Sequence, residues 1–295
     1  MDFDDLRCFV AAAHHRNFRR GAKEVALSPA AFSERVARLE EQLGNRLLAR
    51  TTRSVALTAA GERVLPHAIR LLEDAAELGR FAADDAAQLP YELTIGTRFE
   101  LGLSWLLPAL TALREQAPER RCHLRFGDSA ALLDDLEQGL VDAVVTSFRL
   151  NRPRLDYATL HEERYVFCAA PSLLQRRPFA DRSDAQQHVL IDAHGDLPLF
   201  RYLLDANPGR EAWTFGSQWM LGAIGAIRDR LLAGDGVGVL PEYLVAADLA
   251  DGALIRVLPE LPLHSDWFRL VFRRGDLRQA RLRGLAGELV AFPLR

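Results

Sequence analysis

The chain has 295 residues, enough for one large domain or two to three smaller ones, and its 49% hydrophobic and 26% charged content is that of a globular protein. A formal net charge of -3 excludes a polycationic, histone-like binder but leaves room for a local basic patch. Three cysteines, Cys8, Cys122 and Cys168, stand far apart with no CxxC, which argues against both a disulfide framework and a thiolate metal site.

From the N-terminus, Leu6, Phe9, Val10 and Ala13 recur at helical spacing. Asn17 is placed to cap a second helix that turns Phe18, Ala22, Val25 and Ala26 inward. Ser28 and Pro29 suit the N-cap and first turn of a third, where a missing N–H costs nothing. Phe32, Val36, Leu39 and Leu43 then form one buried face, and Gly44 ends the helix. Off that stripe lie Ala30, Ala31, Ser33, Glu34, Arg35 and Arg38, small or polar at the leading turns. A major groove about 12 Å wide admits a helix with such a slim front, so a helix-turn-helix is predicted. A three-helix packing unit without a DNA role shares the same periodicity.

After Gly44, Leu47 and Leu48 lead into a basic turn, and Ser54 to Leu57 reads as a short strand. This places Arg50 and Arg53 at the tip of a two-stranded wing, suited to phosphates rather than bases. Between Arg16 and Arg53 there are nine basic residues against four acidic ones, an excess of five.

The set Leu6, Phe9, Phe18, Ala22, Leu27-Ser28, Ala31, Phe32-Ser33, Val36, Leu39-Glu40, Leu43-Gly44, Leu47, Arg50, Leu57-Thr58 and Gly61 resembles the winged helix-turn-helix of LysR-type transcriptional regulators. The likeness covers about the first sixty residues without a gap. It departs at Arg16, where a glycine is usual, and at Arg19-Arg20-Gly21, where the start is usually less charged. The resemblance implies double-stranded DNA as partner, with Ser28, Ala30, Ala31, Ser33, Glu34, Arg35 and Arg38 near base edges or adjoining phosphates, and Arg50 and Arg53 on the wing.

From Ala59 to about Ala87, Leu65, Ala68, Leu72, Ala75, Leu78, Ala82 and Ala86 make a narrow apolar seam on a long helix, interrupted early by Pro66. Such a seam wants a partner helix. The resemblance implies a dimerising linker, a homodimer that assembles further as a homotetramer, and two heads at a set separation.

Beyond Pro90 the pattern becomes alternating strands and helices. Strands are predicted over 91–96, 122–126 and 141–146, with helices over 101–115 and 129–138 between them, which is a parallel βαβαβ unit. A second set has strands over 165–169, 189–192, 212–215 and 237–240, and helices over 199–204 and 217–233. A strand over 267–272 and a helix over 277–290 close the chain. The organisation is therefore α/β multidomain. A winged helix-turn-helix takes residues 1–58, a linker helix 59–89 and a two-lobed α/β domain 90–295. Lobe I spans about 90–161 and 267–295, and lobe II about 162–266. The return of the last strand to lobe I, as in periplasmic-binding-protein folds, is implied by the resemblance. So is the meaning of Gly234 to Pro241, which resembles a family glycine motif and does not fit a nucleotide loop.

Small molecules bind parallel sheets at the carboxyl ends of strands. That rule selects Thr97, Arg98, Asp128, Ser129, Thr146 and Phe148 from lobe I, and Gly216, Ser217 and Gln218, with Gly236 nearby, from lobe II. Ser129 and Ser217 are read as helix starts, Arg98 as a clamp for a carboxylate, and Asp128 as better suited to an amine. Asp192, His194 and Asp196 read as a solvated loop rather than a metal site. No cofactor, metal or catalytic motif is expected, nor a leader or membrane segment, and the cytoplasm is the default compartment. The functional expectation is a sequence-specific DNA-binding regulator controlled by a small effector between the lobes. The alternative is an effector-independent repressor with a vestigial cleft, and a third reading fuses an enzyme or solute-binding module to the DNA-binding head.

Overall fold

The computed structural model describes residues 2–50, 55–81, 91–207 and 213–294. The head is built from α1 (Phe3–His15), α2 (Phe18–Glu24) and α3 (Pro29–Gln42), followed by β1 (Leu48–Arg50) and β2 (Val55–Leu57), which pair antiparallel. Each helix starts on a side-chain cap: Asp2 accepts from the Asp4 amide, Asn17 from Arg19 and Arg20, and Ser28 Oγ from Ala31 at 3.2 Å. Phe32, Val36 and Leu39 are fully buried against Leu6, Phe9 and Ala22. Each large apolar side chain so buried contributes about 1.5–3 kcal/mol.

Two expected inward positions turn out otherwise. Leu43 is the C-cap of α3 and is exposed, because the chain leaves the helix there and Gly44 takes a φ of 64°. Ala26 sits in the turn between α2 and α3 with a φ of 55° and is exposed. Ser54 and Arg53 lie outside the described residues.

The wing is held by a residue near the carboxyl end of α3. Glu40 Oε1 accepts from the amides of Leu47 and Leu48 at 2.9 and 3.0 Å. Thr58 Oγ1 donates to Arg46 O and accepts from Gly61 N. A Cβ on Gly61 would stand 2.0 Å from Leu47 O, so only glycine allows the following helix to start this close.

That helix, α4 (Ala59–Phe81), continues through Pro66. Its seam is not wholly free for a partner: Ala60, Val64, Leu65, Ala68 and Leu72 pack on the head's own core. Among the described residues, Ile69 and Leu71 are the large apolar side chains it exposes. Ala82 and Ala86, and the side chain of Leu78, lie outside the described residues. Arg70 reaches Asp276 of the C-terminal part at 2.5 Å.

The first lobe has a five-stranded sheet in the order β4-β3-β5-β12-β6. Its members are β3 (Tyr91–Thr97), β4 (Arg120–Phe126), β5 (Ala143–Thr146), β6 (Leu155–Glu163) and β12 (Asp266–Arg273). β3 is parallel to β4 and β5, whereas β12 runs antiparallel to β5 and β6. β6 is not among the predicted strands, because its sequence LDYATLHEE is too polar to announce one. After β3 comes one continuous helical stretch: α5 (Phe99–Leu101), a π-helical turn over Gly102–Leu106, and α6 (Leu107–Gln116). α7 (Ser129–Glu137) and α12 (Gln279–Val290) complete the lobe.

The chain passes to the second lobe at Arg164 and returns at Asp266. There β7 (Tyr165–Ala169), α8 (Pro171–Arg176), a 3-10 turn over Arg182–Gln187, β8 (Val189–Asp192), α9 (Arg201–Ala206), β9 (Ser217–Met220), α10 (Ile224–Leu232), β10 (Gly238–Pro241), α11 (Glu242–Ala250) and β11 (Ile255–Arg256) follow. β10 and β11 flank β7 antiparallel, β8 and β9 pair parallel, and a parallel bridge from Leu190 to Val237 joins the two groups. The helix expected over 217–233 is therefore two elements. Residues 217–220 form β9 and only 224–232 are helical, and residues 213–215 are not a strand.

Candidate nucleic-acid interface and interlobe cleft

On α3 the exposed positions are Ala30, Glu34, Ala37, Arg38, Glu41 and Gln42, with Ser28 and Pro29 exposed at the entry. Ala31 and Ser33 are half-buried. Arg16, Arg19 and Arg20 are exposed around the start of α2. This is a narrow front with cations beside it, the shape a groove-entering helix requires. Ala37 lies inside that front and was not selected from the sequence, although its spacing from Glu34 and Glu41 marks the same face.

Arg35 does not belong to the front. Its guanidinium turns back to α1, meeting Asp5 at 3.3 Å, Asp2 at 3.4 Å and Asp4 at 3.5 Å. Asp5 is fully buried and also meets Arg38 Nε at 3.3 Å. Desolvation opposes the charge on Arg35, but the three carboxylates hold its pKa above the usual range. The expectation of Arg35 as a DNA-binding residue is thus corrected: it is a strut between α3 and α1. Arg38, half exposed, keeps one side toward solvent. Arg50 ends β1, and its side chain and Arg53 lie outside the described residues.

Between the lobes, the carboxyl end of β3 faces the segment after β9. Glu100 Oε1, just past β3, accepts from Gly225 N at the start of α10 at 3.2 Å. Thr97 is fully buried and its Oγ1 has no hydrogen-bond partner. Arg98 donates to Glu163 Oε1 at 2.9 Å and to Ser147 Oγ at 3.4 Å, and lies 5.7 Å from the centre of the Phe268 ring. Burial works against its charge, yet Glu163 keeps its pKa well above the ordinary value. Glu163 is fully buried, with Oε2 unpaired, and Tyr243 OH is likewise buried and unpaired. Arg98 as a free carboxylate clamp is therefore corrected, since its charge is already matched by Glu163.

Asp128, not Ser129, is the N-cap of α7, accepting from Ala130 N at 2.8 Å. Ser129 and Thr146 are buried and tied together: Thr146 Oγ1 donates to Ser129 Oγ at 2.9 Å and accepts from Phe148 N at 3.0 Å. Phe148 itself is exposed. Ser217 is displaced from the cleft because it opens β9 opposite Val189, at the amino end of that strand. Gly236 packs at the same end, where a Cβ would stand 2.5 Å from Val189 O. The carboxyl end of β9 instead leads to Leu221, Gly222 and Ala223; Leu221 N and Gly222 N bond Asp192 O and Ala193 O. Asp192 is not solvated. It is fully buried and accepts from the amides of Ala193, Leu199 and Phe200, while burial holds its pKa above the ordinary carboxylate value. A depression of about 660 Å³ lined by Asp181, Ser183, Trp213 and Leu261 lies elsewhere on the second lobe.

Comparison with known proteins bears on both halves. Residues 3–62 match the model for bacterial regulatory helix-turn-helix proteins of the lysR family, and residues 86–292 match the LysR substrate binding domain. This chain belongs to the lysR family. The HTH-type transcriptional activator TtdR of Escherichia coli (strain K12) is 27% identical over 297 residues, covering 98% of this chain and 92% of the relative. The HTH-type transcriptional regulator DmlR of the same strain is 30% identical over 266 residues, covering 87% and 83%. The structure of CrgA from Neisseria meningitidis superposes with a TM-score of 0.62 at 24% identity, covering 99% of this chain and 98% of that one. Like these relatives, the lysR-family chain is a transcriptional regulator with a DNA-binding head and an effector-binding domain.

In this regulator Glu100, Ser147, Glu163 and the Leu221–Gly225 segment are the cleft residues that sequence reasoning missed. Glu100 and Glu163 carried no local signal, since their roles come from residues 125 and 65 positions away. The three cysteines are free, with Cys8 and Cys168 buried. Burial pushes Cys168 up to about 12, and Cys8 and Cys122 up to about 11, far from a reactive thiolate. Among the described residues, no helix is long and apolar enough to cross a membrane.

Proposed function

We propose that this protein reads duplex DNA as a homodimer, assembling further to a tetramer, through the exposed front of α3, with Arg50 and Arg53 on wing phosphates, and that a small molecule held between the lobes sets the spacing of its heads. It works in the cytoplasm and performs no catalysis. The observation that carries the reading is the Glu100–Gly225 hydrogen bond, which brings the carboxyl ends of β3 and β9 face to face across the lobes. A ligand seated there acts only by binding one lobe arrangement better than another.

The charge balance points to the effector's class. Arg98 and Glu163 neutralise each other, which leaves the carboxylates of Glu100 and Asp128, so a ligand carrying an amine is favoured over a dianion. Thermal shift of the full chain against a panel of amines, amino acids and carboxylates tests this. Saturable stabilisation by amine-bearing members, without turnover and with altered DNA affinity, is the expected result. Selective stabilisation by dicarboxylates overturns the class, and turnover of a hit overturns the sensor. If no panel member stabilises the chain, the effector-independent repressor replaces it.

A further inference from the structure

The last turn of α1 and the last turn of α2 bring three metal-binding side chains together on the head. His14 Nδ1, His15 Nε2 and Glu24 Oε2 all lie within 4.8 Å of one another. Glu24 Oε2 is 3.9 Å from His14 Nδ1 and is in direct contact with His15 Nε2. The two rings stand with centroids 4.8 Å apart. From these placements we propose that His14, His15 and Glu24 form a binding site for a borderline divalent transition ion, of which zinc and nickel are the probes of choice.

The donor set supports that ion class. Two imidazole nitrogens and one carboxylate oxygen suit zinc, nickel and cobalt, whereas calcium and magnesium want oxygen alone. Ligands at 2.0–2.1 Å from a tetrahedral ion stand about 3.4 Å from each other. His14 and Glu24 are already near that separation, and the His15–Glu24 contact needs to open by about an ångström. Those shifts are available to side chains at the surface, His14 being 75% exposed and Glu24 47% exposed. A fourth position is left open to water.

The local field favours a cation as well. His14 and His15 occupy the carboxyl end of α1, where the helix dipole is negative, and Arg16 leaves the helix with a φ of 48°. Glu24 adds one carboxylate beside the two imidazoles, against the exposed Arg16, Arg19 and Arg20 of the same stretch. An ion held there staples α1 to the end of α2, immediately before the turn that launches the recognition helix. This site is independent of the interlobe cleft and of the effector reading.

The test is titration of chelator-stripped full-length protein with zinc and, separately, nickel, followed calorimetrically, with cobalt absorption to report imidazole ligation. One equivalent per chain is expected at micromolar affinity. H14A and E24Q should each weaken it by at least about tenfold, abolish the cobalt band, and remove the thermal stabilisation zinc confers on the parent chain. His14 is so exposed that H14A should melt normally without metal, which separates lost ligation from lost folding. Absence of a saturable equivalent overturns the site. So does an equivalent whose affinity is unchanged in both variants, because His67, His123, His194 or His264 would then be holding the ion.

Discussion

The Arg98–Glu163 pair decides whether the cleft offers a free cation, and its worth follows from its geometry. At 2.9 Å and an effective dielectric of about 20 the attraction is about 6 kcal/mol. Removing both ions from water cancels much of it, because Glu163 is fully buried and Arg98 is 28% exposed. Deleting one member leaves the other uncompensated, which costs about 3–5 kcal/mol. Glu163→Gln should therefore destabilise the two lobes by about that amount, whereas Arg98→Met combined with Glu163→Gln should recover most of the loss. All four tryptophans, Trp105, Trp213, Trp219 and Trp267, lie in the lobes, so their fluorescence during urea unfolding of the full chain reports this part alone. A loss below about 1 kcal/mol in Glu163→Gln, or a double variant as unstable as the sum of the singles, would refute the view of Arg98 as an internally neutralised residue.

Three further outcomes test other parts of the molecule. Asp5→Asn should release Arg38 from α1 while Asp2 and Asp4 still hold Arg35, raise affinity for any duplex at low salt and steepen the salt dependence by about one phosphate contact; anisotropy titrations over a salt series would show an unchanged slope if Asp5 does not restrain Arg38. Burial raises the pKa of Asp276, but Arg278, its backbone amide and Arg70 outweigh this and hold it below its ordinary value of 3.8. Its stabilisation is thus complete above about pH 4 and is lost as pH falls through the depressed folded value. Asp276→Asn should flatten the acid limb of a stability–pH curve below pH 4, and an unaltered limb would contradict the assignment. With Cys8 and Cys122 near 11 and Cys168 near 12, about one thiol in a thousand or fewer is ionised at pH 8. Labelling by iodoacetamide should be slow until the chain is unfolded, and rapid native labelling would show a thiol more open than this.

The head was readable because its signals are local. Ser28, Pro29 and Asn17 act within three residues of themselves, and Phe32, Val36 and Leu39 reveal their face by spacing alone. Where an end was misjudged, as at Leu43 and Ala26, the cause was the turn conformation following the helix. The second lobe was less legible. SQWMLGAIGAIRDRLLA carries apolar residues at helical intervals, so the strand at 217–220 was hidden until β8 offered it a partner. That one misreading carried Ser217 to the wrong end of the lobe.

By itself the sequence determined the three head helices, the caps Asn17 and Ser28 that start the second and third, the parallel core of the first lobe and the family to which all of it belongs. Only the tertiary structure decided which charges remain available. Arg35 and Arg98 look like free cations in a row of letters, and each is consumed by carboxylates brought from elsewhere in the chain. The physical reason is reach: backbone capping and helical spacing act over a few residues, whereas charge compensation and metal-ligand convergence depend on distances through space that no run of neighbours records.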